Sequence, residues 1–258
     1  MGTSAVHRES VESEQMRAVN KGDSPYESIK EYQDAIPFQE KRIGLYCSYC
    51  EMSIKHVPEV EHKVSKSLGG ELTVWENLLL GCKYCNTRKK DKVAPQDKDL
   101  YLWPDEDNTA IAYVYEYGYP KVNKECLQEL DPTGNLYKKA DNTYKVVGLG
   151  NDPTKKIGEK DRRFLSRNST YYKAQTSLKS WKNVREASFL LKEDMKRQIL
   201  MTATAEGFFS VWLTVFSGEP EICNALIESF PGTRKECYDE LGRPKKIVLE
   251  HKKDEIGL

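Results

Sequence analysis

The spacing of apolar residues predicts helices in the C-terminal part of the chain. Apolar side chains recur every three or four positions over residues 181–199, as on one face of a helix. A second and stronger apolar stripe covers residues 208–216, and a third covers residues 222–230. Thr233 and Glu236 have the spacing of a capping box, which predicts a short fourth helix. The C-terminal part is therefore expected to be mainly helical.

Alternation of apolar and polar residues predicts strands in the middle of the chain. Residues 110–117 alternate in the manner of a half-buried strand. A second strand is expected over residues 143–147, after a turn signal at residues 131–134. Nearer the N-terminus, residues 24–38 have helical spacing. The mixture of helices and strands predicts an α+β fold.

These patterns divide the 258 residues into four segments. The length allows one large domain or two small ones. We expect a flexible N-terminal tail over residues 1–23, a compact domain over 24–100, a β-rich connector over 101–154 and a helical C-terminal domain over 155–258.

The composition describes a polar globular chain with no net charge. Forty Lys and Arg balance forty Asp and Glu, which excludes a uniformly basic protein but not a local basic face. Fifteen Tyr, seven Phe and four Trp supply large side chains for a core. No apolar run approaches the roughly 18 residues of a membrane helix, and the N-terminus lacks the order of a secretory signal. A cytoplasmic protein without a membrane partner is expected.

Four of the seven cysteines form two Cys-x-x-Cys pairs. Two residues between cysteines let both sulfur atoms point into one tetrahedral site. A single pair could also be a redox dithiol or a chance occurrence, but two pairs supply a complete zinc site with no open position. We therefore expect a structural zinc ion, and we expect the other three cysteines to be packing residues. The predicted zinc ligands are Cys47, Cys50, Cys82 and Cys85.

Further motifs lie between and just after the two pairs. They are Glu-His at 61–62, Gly-Gly at 69–70, Trp-Glu-Asn-Leu at 75–78 and Cys-x-x-Cys-Asn-x-x-Lys at 82–89. In this order, the segment from residue 47 to about 91 resembles the HNH (ββα-metal) endonucleases, in the subtype with four cysteines. The resemblance implies a zinc-stapled ββα-metal core that cleaves DNA by direct attack of water, leaving 5′-phosphate and 3′-hydroxyl ends.

The residues in these motifs suit phosphodiester hydrolysis. His62 has the ordinary pKa of a general base near neutrality. Glu61 and Asn86 carry oxygen donors, which suit magnesium or manganese better than a second zinc. The resemblance implies the same roles: His62 activates water, and Asn86 and Glu61 hold the catalytic metal. It also implies that Asn77 bonds to backbone and fixes the loop that orients His62.

Three features of this segment complicate the assignment. Adjacent residues on a regular strand face opposite sides, so Glu61 and His62 reach one site only if the strand end bends. The position of Glu61 is more often Asp in the family, which leaves direct or water-mediated metal binding open. Ser65 stands where many members have Pro, a change expected to alter loop stiffness more than chemistry.

Basic residues cluster in two places. The first group flanks the expected metal helix, and we expect it to contact nucleic acid through phosphate. The second group is interpreted either as a phosphate-contacting face or as a solvated helix face. The first group contains Lys83, Arg88, Lys89, Lys90 and Lys92, and the second contains Lys155, Lys156, Lys160, Arg162, Arg163, Arg167 and Lys173.

The C-terminal part suggests a partner. Its stretch at 207–216 and the later Phe-Pro-Gly-Thr resemble PtuB-like HNH nucleases of Septu-type anti-phage defence, which implies an ATPase or other sensor subunit beside the DNA substrate. The aromatic stripe is then either core or a docking face. Two other functions stay open. One is a non-catalytic zinc module that binds nucleic acid or protein, which leaves Glu61, His62 and Asn86 unexplained, and the other is a secreted nuclease toxin.

Overall fold

The computed structural model describes residues 16–154 and 160–249, and it confirms the expected α+β fold. Two separate antiparallel pairs of strands are joined by helices and by short 3₁₀ turns. In chain order the elements are α1 (Ile36–Ile43), β1 (Glu59–His62), β2 (Leu78–Gly81), α2 (Lys83–Lys89), β3 (Tyr113–Glu116), β4 (Tyr119–Val122), α3 (Lys124–Leu130), α4 (Asn135–Val146), α5 (Arg163–Val184), α6 (Phe189–Glu206), α7 (Phe209–Val215) and α8 (Pro220–Ser229).

The first pair of strands and the helix that follows form a ββα unit. Strands β1 and β2 are antiparallel, with Glu59 opposite Gly81 and His62 opposite Leu78. Every residue of β2 is buried, because its run of leucines packs on both sides. Cys82 then caps α2 by accepting a hydrogen bond from the backbone N–H of Cys85 on its Sγ, at 3.4 Å. Strand β2, the capping residue Cys82 and helix α2 therefore follow one another with no loop between them.

The connector carries more helix than its sequence pattern predicts. The expected strand over residues 143–147 is wrong, because these residues end or follow helix α4. Ala140, Thr143 and Val146 are buried at three-residue spacing, which is a helical face. Thr143 and Val146 are β-branched residues, which locally favour a strand. The expected β-rich segment over 101–154 thus holds one hairpin, β3–β4, together with α3 and α4.

Part of the expected N-terminal tail is folded. Residues 1–15 lie outside the described residues, but residues 16–19 are all buried. The backbone N–H of Met16 donates to Thr109, and Val19 forms a bridge with Thr233. The helix expected over residues 24–38 also begins later, at Ile36, because Pro37 occupies the first turn of α1. Residues 16–19 are therefore part of the folded structure and not of a flexible tail.

The C-terminal helices α5 to α8 enclose a second core, as their apolar stripes predict. Trp181 of α5, Trp212 of α7 and Leu226 of α8 are buried together in it. The aromatic stripe at residues 208–216 is therefore core and not a free docking face. The expected fourth helix is a short 3₁₀ turn, Lys235–Cys237. Among the described helices, none is both long and apolar enough to cross a membrane.

A buried carboxylate connects this helical region to the first Cys-x-x-Cys pair. Glu51 follows Cys50 directly, and its carboxylate accepts hydrogen bonds from the backbone N–H and the hydroxyl of Ser210 at 2.8 and 2.6 Å. The carbonyl of Glu51 accepts the N–H of Phe208. Gly207 packs so closely that a Cβ there would lie 2.5 Å from the same carbonyl oxygen. The cysteine turn and α7 are thus rigidly joined.

Three buried charges connect the N-terminal segment to the ββα unit. Asp105 Oδ2 lies 2.7 Å from Lys21 Nζ and 2.9 Å from Lys63 Nζ. Burial by itself raises the pKa of Asp105, but the two ammonium groups outweigh it and hold that pKa well below the usual range. Lys21 also donates to the carbonyls of Trp75 and Leu78 at the start of β2. The Asp105 carboxylate therefore compensates the positive charges of two lysines that are buried away from water.

Replacement of Asp105 should destabilise the whole fold. Asp105→Asn removes the compensating charge while keeping the side-chain shape, so Lys21 stays buried without a carboxylate partner and Lys63 keeps only Glu106. We expect the free energy of unfolding to fall by about 3–5 kcal/mol. The measurement is urea denaturation followed by circular dichroism. Asp141→Asn is the matched control, because Asp141 pairs with an exposed Lys145 and should unfold at nearly the wild-type urea concentration. Equal midpoints for both variants would contradict this prediction.

Candidate functional site

The four predicted zinc ligands come together in one buried cluster. The sulfur atoms of Cys47, Cys50, Cys82 and Cys85 all lie within 4.8 Å of one another. The sulfur atoms of Cys50 and Cys82 are 3.6 Å apart. A tetrahedral zinc ion with Zn–S distances of about 2.3 Å places its ligand sulfurs about 3.8 Å apart. The donor set and its spacing therefore fit zinc.

Arg163 contacts this cluster from the C-terminal region. Its Nη1 lies 3.0 Å from the sulfur of Cys85, and its guanidinium is paired with Asp161. Arg163 and Arg167 are each 1% exposed, so these two members of the second basic cluster face the protein interior and not phosphate. Lys155 and Lys156 of that cluster lie outside the described residues. Arg163 offsets the negative charge that four thiolates would bring to the cluster.

A pocket of about 290 Å³ lies between β1 and α2. It brings together Glu61, His62 and Asn86, three of the residues predicted for catalysis. Glu61 and His62 both line it although they are adjacent on β1. Gly81 on β2 allows this close packing, since a Cβ there would lie 3.0 Å from Glu61 Cβ. The other lining residues are Glu59, Ser65, Lys66, Lys83, Thr87, Lys90 and Asp91.

The hydrogen bonding of His62 defines which nitrogen can act as a base. Its Nε2 lies 3.0 Å from the carbonyl oxygen of Leu72, so Nε2 carries the hydrogen and Nδ1 keeps a free lone pair. The ring of Tyr32 packs against it edge-on at 4.9 Å. Burial lowers the pKa of His62, the bond to Leu72 opposes this, and Lys66 and Lys89 lower it further. The neutral imidazole, which can accept a proton, is favoured.

Asn77 holds the loop between the two strands of the ββα unit. Its Oδ1 accepts the N–H of Val64 at 2.8 Å. Its Nδ2 donates to the carbonyls of Val64 and Glu71, at 3.1 and 2.8 Å. Leu72, the partner of His62, follows Glu71 directly. The amide of Asn77 thereby fixes the backbone that orients the imidazole.

Glu61 is held by a buried lysine. Its Oε1 lies 2.8 Å from Lys89 Nζ, and both side chains are almost completely buried. Lys89 also donates to the carbonyl of His62 at 2.5 Å. Burial raises the pKa of Glu61 to about 7, with Lys89 lowering it and Glu59 raising it. The second carboxylate oxygen of Glu61 remains for a ligand.

The position of Lys89 corrects one part of the predicted nucleic-acid surface. Lys89 is 1% exposed, so it cannot contact a phosphate group in this structure. It belongs to the interior face of α2, where it pairs with Glu61. Lys83 at the start of α2 and Lys90 directly after its last residue are exposed, and Arg88 is half-buried. Because successive residues of a helix point in different directions, α2 buries Lys89 and leaves Lys83 exposed. A run of basic residues in the sequence does not show this difference.

The pocket contains one acidic residue that the sequence reasoning missed. Glu59 Oε2 accepts a hydrogen bond from Asn86 Nδ2 at 2.8 Å. Glu59 lies two residues before Glu61 on β1, so both side chains emerge on the same side of the strand. The alternating Glu-Val-Glu pattern was the signal that could have identified it.

Comparison with known proteins agrees with the geometry of this segment. The family model described as HNH endonuclease matches residues 47–92, less than a fifth of the chain. The match begins at the first cysteine ligand and ends just after α2, so it covers the whole ββα unit and the pocket. No curated protein and no solved structure is significantly similar to the chain. Residues 47–92 are thus an HNH endonuclease domain, which implies a nucleic acid substrate.

Loss of one cluster cysteine should abolish zinc binding. We expect the wild type to retain one zinc ion per chain after dialysis against a mild chelator, and Cys82→Ser to lose it because three thiolates hold the ion poorly. The measurement is metal analysis by plasma mass spectrometry. Cys237→Ala is the control, since Cys237 is buried outside the cluster. A zinc content in Cys82→Ser equal to that of the wild type would contradict the assignment of this zinc site.

Proposed function

We propose that this protein is a metal-dependent DNA endonuclease with His62 as its general base. The observation that carries the proposal is the pocket that His62, Asn86 and Glu61 line together, with Nε2 and not Nδ1 of His62 bonded to Leu72. The pocket lies within the segment that matches the HNH endonuclease model. The remainder of the chain supports this segment through Glu51 and Arg163.

In the proposed mechanism, His62 Nδ1 accepts a proton from the attacking water. Leu72 keeps the opposite nitrogen protonated, and the bonds of Asn77 keep that carbonyl in place. Asn86 and Glu61 would hold magnesium or manganese, which supplies positive charge to the phosphate and the leaving oxygen. Lys89 keeps Glu61 in position by pairing with one of its oxygens.

The rim of the pocket supports binding of a phosphate backbone. Lys66, Lys83 and Lys90 are exposed and line it, and Thr87 adds a hydroxyl group. These side chains provide contacts that do not depend on base sequence. Because the whole chain has no net charge, this local surface is the source of attraction for DNA that the proposal requires.

We further propose that the nuclease works as a controlled subunit of a bacterial anti-phage system, with an ATPase or another sensor. The support is the neutral net charge, which predicts weak unaided DNA binding, and the resemblance of the C-terminal stretch to PtuB-like nucleases. Any partner surface must lie outside the aromatic stripe at residues 208–216, since that stripe is core. A cytoplasmic location is part of this proposal, because four cysteines form a cluster of the metal-binding type and the described residues contain no disulfide.

A plasmid cleavage assay tests whether His62 is the general base. With supercoiled plasmid and magnesium or manganese, we expect His62→Ala to lower the cleavage rate at least about 100-fold, because the base that the Leu72 contact positions is lost. His56→Ala is the matched control, since His56 is exposed and outside the pocket. EDTA should stop the wild type, and magnesium should restore it.

Zinc content and circular dichroism must match the wild type in both variants. Cleavage by His62→Ala at the wild-type rate would refute the assignment of the base. Absence of cleavage by a folded, zinc-loaded wild type, alone and with the products of neighbouring genes, would favour the alternative of a non-catalytic zinc module.

A further inference from the structure

Two carboxylates of β1 face the pocket, and they differ in how firmly they are bound. Glu61 is almost completely buried against Lys89 at 2.8 Å. Glu59 is paired with Lys83 at 3.3 Å, and the side chain of Lys83 is 77% exposed. A surface ion pair of this kind contributes little and is easily exchanged. Glu59 is therefore the carboxylate whose present partner is most readily displaced by a cation.

The distance between Glu59 and Asn86 matches that between neighbouring ligands of one cation. Glu59 Oε2 and Asn86 Nδ2 are 2.8 Å apart. Two oxygen ligands at right angles around a magnesium ion, each at about 2.1 Å, are about 3.0 Å apart. Rotation of the Asn86 amide by half a turn would bring Oδ1 to the position of Nδ2. Without a cation that rotation places two oxygens together, so the hydrogen bond is the expected arrangement of the metal-free pocket.

We propose that Glu59 is a ligand of the catalytic cation, shared with Asn86. Binding replaces the Asn86–Glu59 hydrogen bond and the Lys83–Glu59 pair, and the Asn86 amide turns its oxygen towards the ion. Glu61 contributes the oxygen that Lys89 leaves free, directly or through water. This inference rests on the proposed nuclease function, because it concerns the same pocket.

Manganese binding, measured without any cleavage readout, tests the ligand. All variants carry His62→Ala so that DNA stays intact, and free Mn²⁺ is followed by electron paramagnetic resonance during titration, with and without a double-stranded oligonucleotide. We expect Glu59→Gln to weaken Mn²⁺ binding at least about tenfold, since a charged ligand is lost. Glu76→Gln is the matched control, because Glu76 is exposed and outside the pocket, and it should bind within twofold of the parent.

The outcomes separate this inference from the nuclease proposal. Mn²⁺ binding by Glu59→Gln within twofold of the parent, with unchanged zinc content, would overturn the role of Glu59. Failure of the parent to bind Mn²⁺ in either titration would overturn it as well. Plasmid cleavage by the protein with His62 intact decides the nuclease function independently. Weaker binding in Glu59→Gln, together with a wild type that is inactive both alone and with the products of neighbouring genes, would support the metal site and count against the nuclease.

Discussion

The cluster of four cysteines is the constraint on which the pocket depends. It joins a turn that precedes β1 to the junction between β2 and α2, two parts of the chain that are distant in sequence. Asn86 follows Cys85 directly, so the cluster also fixes the first turn of the helix that carries a candidate metal ligand. A bound zinc ion would stabilise the folded arrangement in which β1 packs against α2.

Buried ionic and amide contacts then determine how the pocket side chains point. Lys89 pairs with Glu61 and also binds the carbonyl of His62, which draws two adjacent residues of β1 towards α2. Asn77 restrains the opposite end of the loop, where Leu72 meets the imidazole. Removal of one partner from such a buried set leaves a charge or a polar group uncompensated. The chemistry of the pocket is therefore linked to its stability.

The sequence predicts the features of the site that depend on residue type and spacing. It does not predict the features that depend on which side chains are buried. The cysteine pairs and the Glu-His, Asn and Gly-Gly motifs located the site, because metal ligands and bases are identified by residue type. The run of basic residues predicts Lys89 as a phosphate contact and the motifs do not point to Glu59, since sequence does not show which face of α2 or β1 is covered. The strand predicted over residues 143–147 is instead the end of α4, because tertiary packing overrides the local preference of β-branched residues.

The matched segment is short, but its support comes from the whole chain. Glu51 joins the first cysteine turn to α7, Arg163 joins the second to α5, and Lys21 joins β2 to the N-terminal segment. These contacts reach the ββα unit from three separate parts of the sequence. A displacement of α5 would act on Cys85 and hence on Asn86, the next residue along α2. The helical region is therefore positioned to influence the pocket through covalent neighbours of the cluster and not only through a separate binding surface.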